Sequence, residues 1–325
     1  MDIKQKVILG IQCIRTLMFN KRKPIFISWA ITARCNLRCE FCNIWRKQSL
    51  ELKTGEVIKA IESFAKMGTK MIRFTGGEPL LRDDMPEIIN YSRDSDILVT
   101  ISTNGVLFPE KIKEIKRLDG VSLSLEGPEG IHDAIRGLGT YRKAMEALET
   151  AKKKNIPISI ATTLTSLNLD SVQALFHIAR YFKARIFFQP ATQIVLYGEE
   201  PNPSSPDVNQ YRAVILSLLK SKTKNRFIIG NSTAALKHLY NWPNKTAINC
   251  VAGKVICQLD PQGNLNPCSR FAMKNNGLNV IDKGVRHCFN QLYAPSCGNC
   301  WCSSLVELNL LSGYKLSAFS NAIKF

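Results

Sequence analysis

The sequence predicts an α/β fold: a parallel sheet, open or partly closed into a barrel, followed by a small cysteine-rich C-terminal part. Three observations lead there. Six short β-rich runs, at 25–33, 70–75, 97–103, 120–125, 156–164 and 185–190, alternate with helix-like segments at about 54–67, 84–94, 109–118, 140–154 and 168–182. Strands that alternate with helices build parallel sheets. At 325 residues the chain is long enough for one large domain plus a small one. Its eleven cysteines are clustered rather than spread: three in 35–42, seven in 250–302, Cys13 alone, and none between 43 and 249.

Composition narrows the function classes. Hydrophobic residues make up 45% and charged residues 22%, as in ordinary globular chains, so bulk disorder, collagen and coiled coil are excluded. No apolar run approaches the ~20 residues of a spanning helix, which excludes a multi-pass membrane protein. The net charge of +18 favours anionic partners. The N-terminus lacks an apolar core followed by a small-residue cleavage site, so a cytoplasmic, reducing location is expected. There, two tight cysteine clusters read as metal or cluster sites rather than a disulfide scaffold.

Element by element, residues 1–24 form a basic amphipathic helix: Ile3, Val7, Ile11, Ile14 and Met18 recur at helical spacing. Lys4, Lys6, Arg15, Lys21, Arg22 and Lys23 against Asp2 give this piece +5, and Pro24 ends it. It reads either as a helix packed on the domain's outside or as one lying on an anionic membrane surface. Residues 25–197 hold the strand–helix alternation, in which chemistry sits at the C-terminal ends of the strands. Asn168 or Asp170 is the expected cap of the last helix, whose apolar face is Leu169, Val172, Leu175, Phe176 and Ala179. Residues 198–246 comprise a linker and two helices near 207–221 and 232–241. Residues 247–302 are the cysteine-rich part, with Gly263 in the turn of a hairpin. Residues 303–325 read as a closing helix broken near Gly313.

Cys35, Cys39 and Cys42 directly follow the first strand, spaced C-x3-C-x2-C with Phe41 before the last cysteine. Three thiolates can hold three irons of a [4Fe–4S] cluster and leave the fourth open. Zinc usually takes a fourth protein ligand, and no other Cys or His falls between residues 15 and 62. Gly76-Gly77-Glu78-Pro79 ends strand two, Ser102-Thr103-Asn104-Gly105 ends strand three, and Ser122, Ser124 and Glu126 lie on and after strand four. Asp133 to Gly137 follow as DAIRG. Alone, each glycine-containing motif is an ordinary turn; the order and placement make them a set. None of His132, His177, His238 and His287 has ligand spacing with another. Trp29, Trp45, Trp242 and Trp301 are too scattered for a nucleic-acid stacking platform.

In these motifs, over about residues 25–190, the chain resembles the radical SAM superfamily. The resemblance implies a partial (β/α)6, TIM-like barrel. It implies a catalytic [4Fe–4S] cluster on Cys35, Cys39 and Cys42, whose open iron chelates S-adenosylmethionine. It also implies reductive cleavage of that molecule to methionine and a 5′-deoxyadenosyl radical, which abstracts hydrogen from a substrate C–H. Gly76, Gly77, Glu78, Pro79, Asn104, Ser124 and Arg136 are the implied S-adenosylmethionine contacts, with Gly76 and Gly77 letting backbone approach the ligand. A reductant such as flavodoxin or ferredoxin is the implied electron donor.

Cys250 and Cys268 bracket C-x12-G-x4-C, and Cys297 and Cys300 follow after 28 residues. This is similar to the auxiliary-cluster extensions called SPASM and its shorter form, twitch. The twitch form fits better, because after Cys300 only Cys302 follows. It implies a second [4Fe–4S] cluster on Cys250, Cys268, Cys297 and Cys300, with structural zinc as the rival. Cys257, Cys288 and Cys302 are left to packing or to a further, incompletely ligated cluster. The expected activity is an oxidoreductase or maturase step on a small molecule, with a peptide or protein, or a lipid, as alternative substrates. Peripheral contact with an anionic membrane is expected of the N-terminal helix. Nucleic acid is not, although a non-catalytic iron–sulfur or zinc protein using the +18 charge is the reading from another class.

Overall fold

The computed structural model describes residues 12, 16, 19, 21–271, 277–293, 297, 298 and 300–312. The expected N-terminal helix over 1–24 and the end of the chain past 312 lie almost entirely outside these residues. Six parallel strands, β1 (Phe26–Thr32), β2 (Met71–Gly76), β3 (Leu98–Thr103), β4 (Gly120–Ser124), β5 (Ile158–Leu164) and β6 (Arg185–Pro190), pair in chain order. Alternation sets their two faces. Ile27, Trp29, Ile72, Phe74, Val99 and Ile101 are fully buried in the core shared with the helices. The intervening side chains, Ser28, Arg73, Thr75, Thr100 and Ser102, are half-buried and polar. The sheet is therefore apolar outside and polar within, which leaves a lined interior instead of a second core.

The helices cover the outer face. In α1 (Thr54–Lys66), Val57, Ala60, Ile61 and Phe64 fall at the 3, 4 and 7 spacing of one stripe and are buried. Burying Val57, Ile61 and Phe64 contributes about 1.5–3 kcal/mol each. Glu56 reaches back to the Lys53 amide at 2.7 Å and closes the first turn. Next come α2 (Met85–Asp94), α3 (Phe108–Lys111), α4 (Glu129–Arg136), α5 (Thr140–Lys153) and α6 (Val172–Phe182).

Two local expectations are corrected. The helix expected over 109–118 stops at Lys111: the Lys113 and Glu114 amides turn to the tighter i−3 carbonyls of Glu110 and Lys111, and Asn90 of α2 then holds the chain, its Oδ1 accepting the Lys116 amide and its Nδ2 donating to the Glu114 carbonyl. Asn168 does not cap α6. Its Oδ1 accepts the Thr165 amide, and its Nδ2 donates to the Glu126 and Thr163 carbonyls, tying the ends of β4 and β5 together.

The cysteine-rich part joins the sheet. β7 (Ile256–Leu259) runs parallel to β1, and β8 (Leu265–Asn266) returns antiparallel to β7, giving an open eight-stranded sheet in the order β6-β5-β4-β3-β2-β1-β7-β8. β7 thus protects the unpaired edge of β1, a template for aggregation if left bare. The far edge is shielded as well: Gly230 donates to the Ile186 carbonyl and Ile186 to that of Ile228. Helices α7 (Val208–Ser221), α8 (Thr233–Leu239), α9 (Val280–Lys283), α10 (Val285–Gln291) and α11 (Ser303–Ser312) complete the described chain. Arg22 is clamped here, its guanidinium donating to the carbonyls of Gly253, Phe289, Asn290 and Leu292. That guanidinium is held by backbone carbonyls although the residue as a whole stays exposed. No helix among the described residues is long and apolar enough to cross a membrane.

Candidate active site

The loop after β1 carries Cys35, Cys39 and Cys42, all free thiols. Its entry is fixed by the Arg34 amide donating to Thr32 Oγ1 at 3.0 Å and by the Arg34–Glu51 ion pair at 2.9 Å. Its exit is fixed by the segment beyond β6: Leu196 donates to the Phe41 carbonyl and Asn43 to that of Leu196. Burial pushes all three thiols up, Cys42 to about 11. The thiols act on one another electrostatically, so they share one space. Among the described residues, no three His, Cys, Asp or Glu side chains are grouped as the ligands of a single metal ion would be. Three protonatable soft donors on one short loop suit an iron–sulfur cluster, which spreads its ligands over several irons.

The Gly76-Gly77-Glu78-Pro79 turn lies against this loop. Gly77 donates to the Thr32 carbonyl at 2.9 Å and Glu78 to that of Arg34 at 2.8 Å. Gly76 has φ +131°, and a Cβ on it would come within 2.2 Å of the Thr32 carbonyl oxygen; one on Gly77 would come within 2.0 Å of that of Arg34. The glycines were expected to make room for a ligand. In the structure the atoms that demand their bareness belong to the end of β1 and the start of the cysteine loop. Glu78, fully buried, turns inward: Oε1 accepts from Thr103 Oγ1 and the Leu80 amide, Oε2 from the Asn104 amide. Burial raises its carboxyl to about 7 against the pull of these donors. Asn104 Nδ2 donates in turn to Asn36 Oδ1 at 2.7 Å, between Cys35 and Cys39. The turns after β2 and β3 and the cysteine loop are one hydrogen-bonded unit. Ser124 ends β4 half-buried, on the same face as Ser122.

Arg136, at the end of α4, closes the other side. Nη1 lies 3.8 Å from Cys39 Sγ, and the guanidinium sits 5.5 Å from the Phe41 ring centroid. Nε and Nη2 both donate to Glu126 Oε1, at 2.9 and 2.6 Å. Burial works against its charge, but the adjacent Glu126 holds the guanidinium protonated. Glu126 is the hub. It is fully buried, Oε2 accepts the Thr163 amide, and its own amide donates to His132 Nδ1 at 3.1 Å. His132 is thereby kept neutral, its pKa lowered to about 3 by burial and then by Arg136. Arg136 stands out in the sequence but helix α4, which delivers it, does not; Ile131 and Ile135, four apart beside buried His132, are its signal.

At the C-terminal set, Asn309 of α11 bridges the cysteines: its Oδ1 accepts the Val251 amide and its Nδ2 lies 3.4 Å from Cys300 Sγ. His238 Nε2 contacts the Cys300 carbonyl at 2.9 Å, and Gly298 accepts the Thr246 amide. The thiols of Cys302, Cys250, Cys268 and Cys297 all reach Cys300 electrostatically; burial, then these neighbours, raise it. Burial pushes Cys268 up to about 12. The spare cysteines part company. Cys257 and Cys288 are fully buried core residues, the latter donating to the Asn279 carbonyl. Cys302 is half-exposed and within reach of Cys268 and Cys300. Tyr197, singled out by no motif, lies in electrostatic reach of both Cys42 and Cys302. Its φ of +65° is rare for a bulky residue and marks a held position.

Comparison with known proteins agrees with this layout. Residues 29–179 match the model of the radical SAM superfamily. The AdoMet-dependent heme synthase of Methanosarcina barkeri is 34% identical over 194 residues, covering 56% of this chain and 55% of that one. The chain thus spans about half the length of that relative. Mycofactocin maturase MftC of Mycolicibacterium smegmatis is 27% identical over 274 residues, 80% of this chain and 68% of that one. Among solved structures, Streptococcus suis SuiB bound to S-adenosylmethionine superposes with a TM-score of 0.68 at 16% identity, covering 83% of this chain and 67% of that one. Native anSMEcpe with bound AdoMet and Cp18Cys peptide gives 0.63 at 18%, covering 82% and 80%.

Proposed function

Because the chain belongs to the radical SAM superfamily, whose cofactors are a [4Fe–4S] cluster and S-adenosylmethionine, we propose that it is an oxidoreductase or maturase that begins its reaction by reductively cleaving S-adenosylmethionine. The carrying observation is the convergence of three free thiols, the Glu78-centred loop unit and Arg136 at one end of the sheet. When bound, the reduced cluster supplies the electron that splits a sulfur–carbon bond of S-adenosylmethionine and so generates the 5′-deoxyadenosyl radical. The chain's own residues do the rest. Cys35, Cys39 and Cys42 hold the irons. The backbone of residues 76–79, with Asn104 and Ser124, lines the ligand's amino-acid end. Arg136 sets a positive charge beside Cys39. Cys250, Cys268, Cys297 and Cys300 would hold an auxiliary cluster.

The substrate is a small molecule or a peptide, and the electron donor a flavodoxin- or ferredoxin-type protein. Support for a maturase comes from the match over 80% of the chain, which covers more than the core sheet, and support for a peptide from a fold neighbour solved with a bound peptide. Electron paramagnetic resonance of the dithionite-reduced, anaerobically reconstituted protein tests the reading. S-Adenosylmethionine should change the signal of one of two clusters, and the change should vanish when Cys35, Cys39 and Cys42 become Ala. A spectrum indifferent to S-adenosylmethionine counts against it.

A further inference from the structure

One level of the sheet's inner face carries four polar side chains on four neighbouring parallel strands. Gln258 on β7 aligns with Ser28 on β1, Ser28 with Arg73 on β2, and Arg73 with Thr100 on β3. On the opposite face of the same strands, Ile27, Trp29, Phe74 and Ile101 are fully buried core. Three of the four polar residues bear a buried atom with no hydrogen-bond partner: Gln258 Oε1, Arg73 Nε and Thr100 Oγ1. Buried polar atoms are nearly always bonded, so each exception asks for a cause. Three exceptions in one row share one.

Charge shows what kind of cause. A guanidinium does not deprotonate in proteins; Arg73 is half-buried as a whole, but its Nε is shut off from solvent without a partner, and a charge so placed is best met by a counter-charge. None of the eight strands contains an Asp or Glu. A second guanidinium, Arg185, lies on the inner face across from Ser159. Among the described residues, the acidic group that acts on Arg73 is the thiol of Cys302. Arg73 sits three residues before Gly76, about 10 Å below the mouth at strand spacing. It lies beneath the candidate cluster site rather than in it.

We propose that the row Gln258–Ser28–Arg73–Thr100 is a recognition site for an oxyanion, a carboxylate or a phosphate, carried by the substrate. Arg73 donates to it, and the Ser28 and Thr100 hydroxyls complete its shell. Gln258 offers a carbonyl to a donor beside the anion. The oxyanion would also fix how far a substrate descends into the sheet and therefore which C–H faces the mouth. Calling the ligand substrate rests on the function proposed above; oxyanion binding itself does not.

The test is calorimetric titration of the reconstituted full chain with inorganic phosphate and, separately, acetate, at constant ionic strength. One saturable site per chain is expected for at least one probe, and the preferred probe identifies the group. Arg73→Gln should weaken it about tenfold or more, since charge-assisted bonds are the strong ones. Thr100→Val should weaken it several-fold. Arg142→Gln, which removes an exposed pair with Glu129, should leave it unchanged. Should Arg73→Gln fail to fold, the near-isosteric Thr100→Val decides. No saturable binding, or equal binding by the Arg73 or Thr100 variant, overturns the proposal. Displacement of phosphate by saturating S-adenosylmethionine overturns it too, by giving the row to the cofactor's carboxylate. So does binding that appears only in Cys302→Ser, which would make the thiolate the resident counter-ion. S-Adenosylmethionine cleavage, measured on the same samples, fails or succeeds separately.

Discussion

Gly77 is where a single hydrogen atom decides the site. Its absent Cβ leaves 2.0 Å that the Arg34 carbonyl occupies, so Gly77→Ala must push the cysteine loop away from the turn. The expected outcome is loss of the first cluster itself, about four irons per chain, and not a selective fall in S-adenosylmethionine affinity. Gly55→Ala, with nothing within 4 Å of the new carbon, should keep its iron. Iron analysis after reconstitution separates them. Retained iron with weakened ligand binding in Gly77→Ala would show that the missing Cβ serves the ligand's approach and not the loop. His132 gives a second residue-scale prediction. Its folded pKa of about 3 lies below the ordinary value, so the unfolded chain binds the extra proton first and stability falls as pH drops from about 6.5 toward 3. Nitrogen chemical shifts of the ring should remain those of a neutral imidazole at pH 5. A ring protonated by pH 6 would mean that the Glu126 amide contact is not maintained.

At the scale of elements, β7 is the piece on which the architecture turns. It pairs with the open side of β1 and brings the second cysteine set to the same sheet. Removing residues 246–325 should bare the β1 edge, and size-exclusion chromatography should then show aggregates instead of a monomeric core. A monodisperse truncated chain would show that the six-strand sheet stands alone. The six strands themselves were legible, within two residues at each end, because apolar residues on one face and polar on the other impose period two. The site cysteines and glycines were legible because their spacing is local. What was not legible depends on pairing across the fold. Nothing in residues 256–259 says which strand they join. Asn90 holds the segment after α3 from a neighbouring helix, and Asn168 serves two strand ends rather than a helix cap.

At the scale of the molecule, the polar inner face, the loop unit at the strands' C-terminal ends and the second cysteine set share one sheet. Tyr197 stands in electrostatic reach of Cys42 and of Cys302, which puts it near both cysteine-bearing segments. Replacing Cys250, Cys268, Cys297 and Cys300 by Ala should remove about four of eight irons yet leave the first cluster's spectrum intact. Stoichiometric zinc at these cysteines would instead make the set structural. The measurement that decides most is the yield of 5′-deoxyadenosine from S-adenosylmethionine by the dithionite-reduced, reconstituted chain. Wild type and the Cys250/Cys268/Cys297/Cys300 variant should both form it, and the Cys35/Cys39/Cys42→Ala variant should form none. Equal yields with and without Cys35, Cys39 and Cys42, or no product from a wild-type chain loaded with both clusters, would contradict the proposed function.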